Sequence, residues 1–386
     1  MGLGNHILSS YGTTIFEVMS QLARESGAIN LGQGFPDGNG PSDVVAAASD
    51  YLKTGLNQYP SMMGLPDLRQ AVAEINERFY GLTVDWEKEV MVTSGATEAL
   101  AVCLFALIEP GDEVILFEPL YDSYLPIVRR AGGIARLIRL NPPNWDLPIK
   151  DLESAFNEKT KLVLVNSPMN PCSKVFRREE LLKISRLMIE HNVFAVCDEV
   201  YEHLVFEGAE HIPLMTLPEM RNRCIRIGSA GKTFSLTGWK VGYITACPDL
   251  LKPLSRAHQF LTFTTPPNLQ AGAAYGLRKN DDYFLNLATE LQERRDQLAT
   301  GLSACGMTVL GCDGTYFVSV DLRGTGYKGK DTDFCKELTT EAKVAAVPLS
   351  AFFASGGINH FARFCFCKSE DTLAEAISRL KKYFDC

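Results

Sequence analysis

The stretch IGSAGKTFSLTGWK, residues 227–240, offers two readings of one lysine. Its Gly-Lys-Thr is the ending of a phosphate-binding P-loop, which requires a further glycine five positions before Gly231 so that backbone N–H groups curl around the phosphates. That position is Arg226, so the P-loop reading fails. Lys232 instead follows CIRIG (224–228), an apolar run of strand character, and opens the next segment among small residues.

Outward from this point the chain alternates β-branched and helical runs. VMVT (90–93) precedes EALAVCLFALI, and VILF (114–117) and LVLVN (162–166) come next. REELLKISRLMIE, VFAVC (193–197), CIRIG and VGYITA (241–246) complete the series. Such alternation predicts an α/β fold, a mainly parallel sheet covered by helices on both faces. Ligands of such sheets sit beyond the carboxyl ends of the strands. Those ends carry TSGAT (93–97), NSPMNP (166–171), DEVY (198–201) and GSAGK (228–232), which predicts one site assembled from four loops. After about residue 281 the texture changes to an amphipathic helix (283–305) and the alternating runs TYFVSV and FARFCFC, a smaller α+β part with an antiparallel sheet. The expected division is a large domain over 41–280 and a small one made of 1–40 with 281–386.

Composition narrows the class. A chain of 386 residues exceeds the ~250–300 at which single cores stop growing. A net charge of −8 and the lack of a basic stripe argue against nucleic acid. The longest apolar run, ALAVCLFALI (99–108), is about half of the ~20 residues that span a bilayer, so no membrane segment is expected. MGLGNHILSS reads as no export signal, and His6 stands where a myristoylation motif wants Ser or Thr. Eleven scattered cysteines without metal-ligand spacing fit reduced thiols in the cytoplasm and no metal site.

Each chemical signal is modest alone. Asp198 ends an apolar run and is costly to bury without a cation, although Asp before Glu-Val-Tyr also reads as a helix cap. Gly95, Ala96 and Thr97 open a helix, where free N–H groups bind anions or are merely capped. Ser167-Pro168 and Asn170-Pro171 hold a loop rigid, with a cis bond open to either. Together with Lys232, Lys240 and the aromatics of EPLYDSY (118–124), they are the set that a phosphorylated pyridine aldehyde requires. Its aldehyde needs a lysine, its ring nitrogen an acid, its phenolic oxygen donors, and its phosphate N–H groups and a cation.

The ordered series NQYPSMMGLPDLRQA, TSGATEAL, EPLYDSY, NSPMNP, CDEVYEHL, SAGKTFSLTGWKVGY and FARFCFCK resembles, nearly end to end, the class I/II aminotransferases. These have the aspartate aminotransferase fold (fold type I) and use pyridoxal phosphate. YGTTIFEVMSQLA and HQFLTFTT are most similar to the kynurenine/glutamine and methionine subgroup. The resemblance implies that Lys232 forms the Schiff base and moves the proton, Asp198 holds the ring nitrogen, and Tyr201 and Asn170 bond the phenolic oxygen. It further implies that Tyr121 stacks on the ring, that Gly95, Ala96, Thr97, Ser229 and Lys240 hold the phosphate, and that Arg363 and Gly34, with Asn170, receive the substrate carboxylate. Tyr59 would reach the phosphate of a neighbouring subunit, making the site a property of a homodimer. Two departures stand out: Asn170-Pro171-Cys172-Ser173-Lys174 replaces the usual NPTGK, and Lys240 stands where many relatives have arginine.

The expected reaction is ping-pong transfer of an amino group from an L-amino acid to a 2-oxo acid. Relatives specific for aspartate use a second arginine supplied by the neighbouring subunit, and the matching stretch here, 258–270, holds no Arg or Lys. Phe260, Phe263, Phe352 and Phe353 are expected instead to wall the pocket for methionine, glutamine, phenylalanine or kynurenine. A carbon–sulfur β-lyase on the same fold is the alternative. A nicotinamide-dependent dehydrogenase, suggested by GQGFPDG (32–38), is remote because the third glycine falls one place late.

Overall fold

The computed structural model describes residues 4–386. A short strand β1 (Ile29–Asn30) precedes the large sheet, formed by β2 (Val90–Ser94), β3 (Glu113–Glu118), β4 (Ile134–Arg139), β5 (Thr160–Asn166), β6 (Phe194–Asp198), β7 (Cys224–Ser229) and β8 (Val241–Ala246). Its order is β2-β8-β7-β6-β5-β3-β4. β3 to β7 pair in parallel, and β8 runs antiparallel to both β2 and β7. Helices cover both faces, which is why the inner strands read as continuous apolar runs, whereas the edge strand β4 (IARLIR) alternates. Helix Arg178–Glu190, the crossover from β5 to β6, starts where the Glu180 carboxylate accepts the Arg177 N–H at 2.9 Å.

The remaining strands are β9 (Thr308–Val309), β10 (Phe317–Asp321), β11 (Val344–Ala345), β12 (Val347–Pro348) and β13 (Phe361–Cys365). They form an antiparallel sheet ordered β12-β13-β10-β9 and a small parallel pair, β1 with β11. The N-terminal segment therefore packs on the C-terminal one, and the Leu31 carbonyl accepts the Cys365 N–H at 2.7 Å. No helix among the described residues is long and apolar enough to cross a membrane.

Arg226, the residue that excludes a P-loop, is buried in the middle of β7. Its guanidinium donates to Glu199 at 2.7 Å and Glu202 at 2.8 Å and lies over the Tyr80 ring. This cluster anchors the segment just after Asp198. Removing one partner of a buried ion network leaves the others uncompensated, typically at 3–5 kcal/mol. Arg226→Met should therefore lose about 3–5 kcal/mol in equilibrium denaturant unfolding. A loss below ~1 kcal/mol would show that the two carboxylates are neutralised without it.

Candidate active site

The carboxyl ends of β5, β6 and β7, with the start of helix Gly95–Leu107, border a cavity of about 630 Å³ that reaches across to β10 and β13. Asp198, the last residue of β6, is 4% exposed and lines it. Its Oδ2 accepts the Tyr124 hydroxyl at 2.6 Å. No Lys, Arg or His among the described residues pairs with it within 4.0 Å, and Val200 N at 3.5 Å is a weak further donor. Burial raises its pKa, while the Tyr124 hydrogen bond pulls it back down. A desolvated carboxylate held by one phenol calls for a cation.

At the other end of the same wall, Gly95, Ala96 and Thr97 begin helix Gly95–Leu107 with their N–H groups free of intrahelical acceptors. Gly95 has φ +71, and a Cβ there would press on the Lys240 ammonium at 3.3 Å. A Cβ on Gly242 of β8 would lie 2.6 Å from the Gly95 carbonyl carbon, so both glycines are needed for backbone and lysine to close up. Lys240 reaches Thr97 Oγ1 at 3.3 Å, and Ser229 ends β7 at the rim. Glu98 holds the helix start, accepting the Ser94 N–H and meeting His258 at 2.7 Å. The result is a cradle of N–H groups, two hydroxyls and an ammonium with the chemistry of a phosphate site.

Lys232 lies between cradle and carboxylate. Its Nζ donates to the Tyr316 hydroxyl at 2.8 Å, which in turn donates to the Gly34 carbonyl at 2.9 Å. Burial lowers the lysine's pKa, against the opposing pull of Cys367 and Asp198. Tyr201, buried, meets Tyr316 edge-on at 5.1 Å. Gly34 admits no side chain, since a Cβ would come within 2.5 Å of Phe317.

Across the cavity, Arg363 sits on β13, the strand flanked by β12 and β10, and is fully buried. It donates to Asn170 Oδ1 and to the Gly32 carbonyl, each at 2.7 Å, and lies 3.8 Å over the Phe317 ring. Its Nε has no partner and no carboxylate faces it within 4.0 Å among the described residues. Burial lowers its pKa to about 10. Tyr121 forms the wall between the two halves, its phenol pushed up to about 12 by burial. Both Pro bonds of NSPMNP are cis. Ser173 adopts φ +63, where the usual NPTGK places glycine, and its hydroxyl donates to the Phe317 carbonyl at 2.6 Å.

A buried acid awaiting a cation, an anion cradle, a lysine of lowered pKa between them and a buried guanidinium awaiting an anion fit pyridoxal phosphate and an amino-acid carboxylate together. Residues 26–380 match the family model described as aminotransferase class I and II. The chain belongs to that family. It is similar in structure to an N-succinyldiaminopimelate aminotransferase from Mycobacterium tuberculosis, with TM-score 0.95 and 42% identity over 98% of this chain and 99% of that one. It is 39% identical to a methionine aminotransferase of Escherichia coli over 97% of both chains. A human kynurenine–oxoglutarate transaminase is 37% identical over 94% of this chain and 87% of its own. The aminotransferase thus has fold type I, transfers amino groups between amino and oxo acids, and depends on pyridoxal phosphate.

Within one chain the cavity gathers every residue read from the sequence for the cofactor and the carboxylate except Tyr59, which is 83% exposed and lies outside it. Within one chain the four expected phenylalanine walls do not line the cavity, and for Phe260 and Phe263 the expected pocket is that of a neighbouring subunit. Phe260 and Phe263 face solvent, and Phe352 packs behind Arg363 with Phe353 buried beside it. Phe16, Phe35 and Phe317 line the cavity instead. GQGFPDG opens no helix and binds through the Gly32 carbonyl, which disposes of the dinucleotide reading. Two partners were not read from the sequence. Tyr316 hides in an alternating strand pattern, whereas Tyr124, the second tyrosine of EPLYDSY, offered a signal in the buried Asp198 that needed a donor. Asp198→Ala should lower kcat at least about 1,000-fold, and Tyr124→Phe about tenfold, the scale of one ~1.4 kcal/mol hydrogen bond to a charged group. Equal losses in the two, measured with saturating cofactor, would contradict this ranking.

Proposed function

We propose that the chain is a homodimeric aminotransferase of the cytoplasm whose donor is an L-amino acid with a neutral, apolar, aromatic or sulfur-containing side chain, of the methionine, glutamine, phenylalanine or kynurenine type. The observation that carries the donor class is the cation inventory of the cavity. Its basic side chains are Lys232, Lys240 and Arg363, and roles in the cofactor site and at the α-carboxylate use all three. A second substrate carboxylate would be desolvated without a partner. Phe16, Phe35 and Tyr121 favour apolar and aromatic groups. The names of the methionine and kynurenine relatives point the same way. All eleven cysteines are free, which suits a reducing compartment.

Pyridoxal phosphate, when bound, supplies an aldehyde carbon that condenses with amines and a ring that takes up the electrons released at the α-carbon. Lys232 is the base that moves the proton at that carbon, and its lowered pKa favours the free amine this requires. Asp198, oriented by Tyr124, keeps the ring nitrogen protonated. Tyr201 and the Asn170 amide donate to the phenolic oxygen, while Tyr121 covers the ring face. Gly95, Ala96, Thr97, Ser229 and Lys240 hold the phosphate. Arg363, already aimed by Asn170 and Gly32, grips the α-carboxylate beside Gly34. The small part, 1–40 with 281–386, carries Arg363 and Gly34, and the large part, 41–280, carries the cofactor residues. Oxo-acid acceptance separates this reaction from β-elimination, which the aminotransferase relatives do not favour.

Support for the homodimer comes from a surface rich in exposed apolar groups. Tyr59 and Phe263 meet edge-on at 5.8 Å, and Leu56 and Phe260 are 79% and 84% exposed. A second copy covering this surface would bring Tyr59 toward the partner's phosphate. Two outcomes follow. In a donor screen at equal concentration, the preferred neutral donor should exceed aspartate by at least ~100-fold in kcat/KM, about 2.7 kcal/mol; aspartate ahead would refute the donor class. Mixing Lys232→Ala with an inactive Tyr59 variant should restore activity through heterodimers, whereas none after verified subunit exchange would mean self-contained sites.

A further inference from the structure

One acidic side chain on the substrate side of the cavity is left unused by the cofactor and carboxylate sites. Asp122 follows Tyr121 in the loop before helix Tyr124–Arg130 and lines the cavity together with Thr14, Phe16, Gln33 and Arg363. Its side-chain hydrogen bond is a long one, from Ser123 Oγ at 3.4 Å. No basic group lies within ion-pair distance of it among the described residues, and Arg363 acts on it only from farther off. Burial raises its pKa, against the pull of Ser123 and Arg363. A half-buried carboxylate without an ion-pair partner is costly, and its hydrogen bonds come from its neighbour Ser123 alone.

We propose that Asp122 is a specificity-determining residue that faces the donor's side chain, repelling a side-chain carboxylate and accepting a hydrogen bond from a side-chain N–H such as an amide or arylamine. This rests on the donor class proposed above and adds a cause to it. The missing second arginine only withholds an attraction, whereas a like charge opposes the dicarboxylic substrate directly. The competing role, reception of the α-ammonium, would act on every donor alike.

Asp122→Asn keeps the shape and removes the charge. On the holoenzyme, kcat/KM is measured for glutamate, glutamine and methionine, together with the Kd of the unreactive acids glutarate and hexanoate by calorimetry. The glutamate-to-methionine ratio should rise at least tenfold in the variant, and glutarate should tighten at least tenfold relative to hexanoate. A ratio that moves less than twofold, or a parallel fall for all donors, overturns the proposal. Should Asp122→Asn fail to hold cofactor, Asp122→Ser is read by the same ratios. A wild-type enzyme that prefers glutamate overturns the donor class and this role with it; one that prefers methionine, with an unmoved ratio, overturns the role of Asp122 alone.

Discussion

Two buried charges without counterions set the terms for the rest of the molecule. Asp198 and Arg363 stand on opposite walls of one cavity, each deep in protein, each tied to neutral groups only. Burying an unpaired charge costs several kcal/mol, so each is stable chiefly as half of a pair whose other half arrives with a ligand. They stand on different sheets, so two distinct ligand groups are needed to meet them. The large sheet carries the acid, and the small sheet carries the guanidinium. The free energy stored in these unmet charges is released on binding and so becomes affinity.

The topology makes this arrangement economical. Parallel strands deliver their carboxyl ends to one edge, so Asn166 and Asp198 pair directly through register, and β7 runs two residues past its pairing with Asp198, at Ile227, to end at Ser229. The reversed strand β8 then brings Gly242 against Gly95, closing the phosphate cradle from the side. What the large sheet cannot supply comes from the chain's two ends. The N-terminal loop contributes the carbonyls of Gly32 and Gly34, and the C-terminal sheet contributes Tyr316, Phe317 and Arg363. The hydrogen-bonded path from Lys232 through Tyr316 to Gly34 ties the end of the large sheet to both chain ends.

Much of this was legible in the sequence because its signals are local. Strand-end loops with Gly, Pro, Asp and Lys are written in consecutive residues, and each such loop reached the cavity. The small-domain pairing was foreshadowed by the alternation in TYFVSV and FARFCFC. Contacts between distant segments were not legible. Tyr316 touches Lys232 across 84 positions and Tyr124 touches Asp198 across 74, and no local pattern marks either pairing. Two of the expected phenylalanine walls, Phe352 and Phe353, lie off the cavity for a related reason. Phe352 is buried as expected of a large apolar residue, but against Arg363 rather than on the cavity, because the short turn Leu349–Phe352, and not its hydrophobicity, decides which face its side chain meets. Asp122 escaped notice because a single acid next to a tyrosine looks like a solvated loop until the cavity around it is known.

The central claim is that Lys232 is the residue that engages the cofactor. Its most direct test is reduction of the purified holoenzyme with sodium borohydride, followed by peptide mapping. A visible absorption band should be bleached, and the pyridoxyl group should be recovered on the peptide containing Lys232. The absence of a bleachable band, or recovery of the label on Lys174, Lys240 or any other lysine, would contradict it.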